Sequence, residues 1–122
     1  MFFKILENLG IKMNVIFHID DLKSWDLVLG NVTNFLNEVP DATIEVLANS
    51  NAVLKYLETN LDIKFKTKFD GLKEKVSFVA CANALRANAI DQAQLDKSIT
   101  VVSAGVVELA KKQEQGYSYI RP

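Results

Sequence analysis

The sequence predicts an α/β domain built on a mainly parallel sheet of about five strands. Two observations carry that reading. Runs rich in β-branched and aromatic residues occur at 14–19 (NVIFHI), 43–48 (TIEVLA), 76–81 (VSFVAC) and 98–103 (SITVVS), nearly continuous in hydrophobicity, as strands covered on both faces must be. Between successive runs lies a segment with apolar residues at helical spacing, long enough to return the chain over the sheet before the next parallel strand.

The elements follow in order. Phe2, Phe3, Ile5, Leu6 and Leu9 would form one apolar face of a short helix, so residues 1–12 are expected to be an N-terminal appendage to a single domain over 13–122. After the first strand, Asp20 and Asp21 offer an N-cap, and Leu22, Trp25, Val28, Leu29, Val32, Phe35, Leu36 and Val39 recur every three or four residues until Pro40 ends the helix. The second strand closes at Asn49-Ser50-Asn51, capping and turn-forming residues ahead of a helix over 52–61 with Val53, Leu54, Leu57 and Leu61 as its apolar side. Phe65, Phe69 and Leu72 predict a further helix over 66–75. Beyond the third strand an alanine-rich helix begins at once, and Asp91 with Gln94 has the form of a capping box. Val106, Val107, Leu109 and Ala110 mark the last helix, which Gly116 terminates, and Tyr117–Arg121 alternates like a short edge strand. Right-handed crossovers favour a flavodoxin-like three-layer α/β/α domain with strand order 2-1-3-4 and the tail strand at an edge.

Composition narrows the function classes. Fifteen acids against fourteen bases leave a net charge of -1, so no global field draws the protein to nucleic acid or to an acidic membrane, and neither is expected as a partner. One cysteine cannot close an intramolecular disulfide, which together with the lack of a signal-peptide core points to the cytoplasm. One Cys and one His cannot supply zinc-type ligand spacing, and no Gly-rich phosphate loop is present, so neither metal nor cofactor is expected.

Chemistry in an open parallel sheet collects at the C-terminal ends of the strands. That edge would gather His18, Asn49, Ser50, Cys81, Asn83 and Gly105, with the crevice between strands one and three holding both His18 and Cys81. Cys81 stands where a strand hands over to a helix N-terminus, a position that favours thiolate over thiol, so it is read as a nucleophile or as a small buried space-filler. His18 is read as a base or proton donor to that thiol, or as a neutral imidazole hydrogen-bonded within the sheet. Asn49, Ser50, Asn83 and Gly105 are candidates for a polar-ligand or anion site, or plain caps and turns.

The strand NVIFHID, the segment FVACANAL around Cys81, the run VVSAGVVELAKKQEQG and the closing GYSYIRP together resemble the DsrE/DsrF-like family of small sulfur-relay proteins and their uncharacterised relatives, over residues 12–122. The resemblance implies a flavodoxin-like fold and assembly with copies of itself, commonly as a homotrimer or homohexamer. It also implies that Cys81 carries sulfur as a persulfide, received from a donor protein and passed to an acceptor protein. His18 and Asn83 resemble positions of one subgroup. The expected function is that of a sulfur carrier rather than a turnover enzyme, with a small-ligand-binding or oligomeric regulatory module as the alternative.

Overall fold

A computed structural model describes residues 12–122. The appendage expected at residues 1–12 lies, apart from Lys12, outside the described residues. Five strands form one all-parallel sheet: β1 (Asn14–Ile19), β2 (Thr43–Ala48), β3 (Val76–Cys81), β4 (Thr100–Val102) and β5 (Ser118–Ile120). The helices are α1 (Trp25–Glu38), α2 (Ile63–Leu72), α3 (Ala82–Ala87) and α4 (Gly105–Glu114), with 3-10 turns at Leu22–Ser24, Ser50–Tyr56 and Gln92–Gln94. The α/β class and the tail strand at an edge agree with the sequence reading.

The strand order is β4-β3-β2-β1-β5, which corrects the expected 2-1-3-4. Strand β2 lies between β1 and β3, buried at five of its six positions, and each step from β1 to β4 moves the same way across the sheet. Right-handed crossovers then place α1, α2 and α3 on one face. Only the return from β4 to β5 runs back past the whole sheet, and it lays α4 on the other face. Glu45 in the middle of TIEVLA is a charged residue on a central strand; polar groups on α4 accommodate it.

Burial follows from this asymmetry. The larger core joins Val15, Phe17 and Ile19 of β1 to Trp25, Val28 and Leu29 of α1, Phe65 and Phe69 of α2 and Leu85 of α3. Trp25 is 2% exposed, its ring edge-on to Tyr56 and Phe65 at centroid distances of 5.3 and 5.2 Å, and its Nε1–H donates to the Ala52 carbonyl at 2.9 Å. Among the described residues, the smaller core on the second face holds Ile16, Leu47, Val79 and Leu109, with Val102 and Tyr117 at its rim.

Two helix expectations need correction. The segment 52–61 forms a 3-10 turn over Ser50–Tyr56 and no α-helix, because Leu57 is already extended (ψ 135°), and Leu61 is exposed rather than part of an apolar face. Helix α2 starts at Ile63, three residues early, because the Asp62 side chain caps it by accepting from the Phe65 N–H. At the start of the first crossover, Asp21 rather than Asp20 caps the 3-10 turn at Leu22–Ser24, accepting from the Lys23 N–H. The Asp91/Gln94 capping box is formed as read.

Ala89 is exposed and sits at φ +55°, the left-handed region that costs a residue with a Cβ roughly 1–2 kcal/mol. Ala89→Gly is therefore expected to raise stability by about 0.5–1 kcal/mol, the relief of strain being partly offset by the freedom of glycine in the unfolded chain. Urea unfolding of the two proteins measures it; a lower midpoint for the glycine variant would contradict this account.

Candidate functional site

The small core under α4 dictates where the polar residues fall. Side chains alternate across a strand, so the residues two positions beyond Ile16, Leu47 and Val79 point to the same face at the C-terminal edge. Those residues are His18, Asn49 and Cys81. Tyr119 joins them from β5, whose register pairs it with Ile16. The result is a row across four strands, Tyr119, His18, Asn49 and Cys81, closed at the Cys81 end by the first turn of α4.

The row is connected by hydrogen bonds. His18 Nε2 lies 3.2 Å from Asn49 Oδ1, and His18 Nδ1 lies 2.7 Å from the Tyr119 hydroxyl. A carboxamide oxygen only accepts, so the first bond places a proton on Nε2; in the tautomer with no proton on Nδ1, that nitrogen accepts the Tyr119 O–H. The His18 bond at Oδ1 leaves Asn49 Nδ2 toward Gly105: Cys81 Cβ lies 3.3 Å, and Asn49 Nδ2 and Cys81 Sγ 3.5 Å, from the point where a Cβ on Gly105 would stand. The missing side chain lets the start of α4 come close to the amide and the sulfur.

Cys81 itself is buried, 6% exposed. It occupies the N-cap position of α3, as the sequence reading expected, but its side chain makes no cap bond there. Its Sγ instead accepts the Gly105 N–H at 3.3 Å, the first residue of the ten-residue helix α4. The helix end that meets the sulfur is thus a different one from the helix that follows it in the chain. Outside the row, Asp20 pairs with Arg121 at 2.9 Å, tying the tail to the end of β1 beside His18.

Several expectations change. His18 does not meet Cys81 across a crevice between β1 and β3, because β2 stands between them and separates the strands by roughly 10 Å; Asn49 fills the interval. Ser50 is exposed at φ +50° and stays outside the row, its carbonyl accepting from Asn88 Nδ2 at 3.0 Å. Asn83 is exposed, and its side chain accepts from Arg86 one turn on, so it does not reach the row. Gly105 and Asn49 do come together at Cys81. Tyr119 is the residue the sequence reading missed: the alternation of Tyr117-Ser118-Tyr119 signals a strand face, but only register places that face beside His18.

No group of three or more His, Cys, Asp or Glu side chains able to hold a metal occurs among the described residues. A cleft of about 400 Å³ lined by Glu58, Gln92, Asp96 and Lys97 lies apart from the row. No helix among the described residues is long and apolar enough to cross a membrane.

A parallel α/β domain with one thiol and a polar row on its C-terminal edge is the class that fold and site define. A profile of the DsrE/DsrF-like family matches residues 31–122, three quarters of the chain, and the protein belongs to that family. MTH1491 from Methanobacterium thermoautotrophicum, a protein of unknown function whose structure is solved, is 34% identical, with the match covering 91% of this chain and all of its own at a TM-score of 0.82. The ychN protein of E. coli shares the fold at 15% identity and a TM-score of 0.73, over 92% of this chain and all of its own. No curated protein matches.

Proposed function

We propose that the chain is a cytoplasmic sulfur carrier in which Cys81 bears a persulfide. The observation that carries this reading is the Gly105 N–H directed at Cys81 Sγ from the start of α4, since a helix N-terminus is a donor that an anionic sulfur accepts better than a neutral thiol does. Family membership supports the chemistry, and the absence of a side chain at Gly105 lets the helix end approach the sulfur closely. In the loading step the Cys81 thiolate attacks the outer sulfur of a hydropersulfide donor, R–S–SH. The donor S–S bond breaks, RS⁻ leaves, and Cys81–S–SH forms with no net change of oxidation state. His18 and Asn49 act as orienting groups beside the sulfur, with no proton passed directly between His18 and the sulfur.

The same reading takes its partners from the family: a sulfur-donating and a sulfur-accepting protein, and further copies of the chain as a homotrimer or homohexamer. Val106 (71% exposed), Val107 (53%) and Tyr119 (41%) supply apolar surface beside the site for such contacts. The alternative, a ligand-binding or regulatory module, makes the polar row a binding surface that Cys81 merely shapes.

Intact-mass measurement after exposure to an inorganic polysulfide separates them. The wild type is expected to gain one sulfur atom, lost in Cys81→Ser. A folded wild type that gains none would sink the carrier, and thermal stabilisation by an anion that persists in Cys81→Ala would favour the binding module.

A further inference from the structure

Glu45 is the one polar or charged residue among the buried residues described, 5% exposed, on the central strand of the sheet and facing α4. Lys112 Nζ stands 3.7 Å from its Oε1, while Oε2 is buried with no hydrogen-bond partner among the described residues. Glu108, one turn before Lys112 on the same helix, brings a second carboxyl group to Glu45. Two carboxyl groups and one ammonium group therefore meet beneath α4, the only helix on this face among the described residues.

We propose that Glu45, Glu108 and Lys112 form a proton-held latch that seats α4 on the sheet, and that releasing the proton loosens the helix, including the Gly105 N–H that touches Cys81. With Glu45 protonated, its O–H donates to the Glu108 carboxylate, the pair is balanced by Lys112, and the buried charge sums to zero. Once the proton leaves, two carboxylates face each other in an apolar layer with one counter-charge, a cost that lifting α4 into water removes. Burial, reinforced by Glu108, pushes the Glu45 carboxyl up to about 8, against the weaker downward pull of Lys112.

The groups around Glu45 leave these three as the switch. Its register neighbours are Ile16 on β1 and Ser77 on β3, neither of which titrates. Beneath the sheet, the Tyr56 hydroxyl donates to the Val46 and Val79 carbonyls, and burial keeps it neutral far above this range. The Tyr117 ring lies 4.9 Å from Lys112 Nζ and holds that ammonium at the rim of the layer. The small core on this face leaves few apolar contacts to hold α4 when the charge changes. The device operates whether or not Cys81 carries sulfur.

Hydrogen exchange of the backbone amides of 105–114, corrected for intrinsic rates, tests it on the wild type, Glu45→Gln and Glu108→Gln at about pH 6 and about pH 8, with α1 as the internal reference. Opening the latch lets Glu45 lose its proton to water, so protection of α4 in the wild type is expected to fall about tenfold or more over that interval. Glu45→Gln keeps a neutral donor against Glu108 and is expected to hold protection constant. Glu108→Gln removes the second carboxylate and is expected to shrink the fall. An α4 protection independent of pH in the wild type, or an equal fall in Glu45→Gln, overturns the proposal.

Discussion

Glu45→Gln is expected to flatten much of the pH dependence of global stability between about pH 4.5 and about pH 8. The sign follows from linkage. The Glu45 carboxyl rises from its ordinary 4.5 in the unfolded chain to about 8 in the folded protein, chiefly through burial. Below 4.5 both states hold the proton and stability is at its full value. Between the two values only the folded state holds it, so stability falls as pH rises, by at most about 1.4 kcal/mol per pH unit, and the loss is complete once the folded carboxyl ionises. Asp62 works in the opposite sense: a hydrogen bond from Lys55, with the backbone N–H of Phe65, holds its carboxylate below the ordinary 3.8, so its contribution is lost only as pH falls through that lower value. Urea unfolding of wild type and Glu45→Gln across this interval is the measurement. Parallel curves for the two proteins would show that Glu45 does not carry the slope.

Trp25→Ala is expected to cost about 3–5 kcal/mol, a large share of the stability of a domain this size. The ring is buried among Tyr56, Phe65 and Phe78, and its removal leaves a cavity where α1, the 3-10 turn at 50–56 and α2 meet on β3. The Ala52 carbonyl also loses its Nε1–H donor in a buried place. Trp25→Phe keeps part of the volume and is expected to cost about half as much. Circular dichroism during denaturation reads both variants, and a loss below about 1 kcal/mol for Trp25→Ala would place the keystone of this core elsewhere.

The contrast between Trp25 and Glu45 shows where legibility ends. Trp25 was visible as core because an amphipathic helix repeats its apolar positions locally, and one face of α1 must be buried whatever it packs on. Glu45 drew no reading from the sequence, where TIEVLA passes as one more nearly continuous apolar run. Its partners lie on a helix more than sixty residues away, and nothing in TIEVLA says that they will come to it. Leu61 failed for a related reason: its helical spacing continues past Leu57, where the chain has already turned extended.

The polar row divides in the same way. That His18, Asn49 and Cys81 end parallel strands at one edge followed from hydrophobic runs and crossover lengths alone, since parallel strands must share the direction of their C-terminal ends. Alternation, strand spacing and the residue types at the edge are local properties, and local chemistry decided them. Strand order, the register of β5 and the approach of α4 are set by which long-range pairing buries most apolar surface at least cost in loop closure, a comparison among whole folds. Those global choices put Asn49 rather than His18 beside Cys81, brought Tyr119 to His18, and gave the sulfur the amide of Gly105 instead of the helix that follows it in the chain.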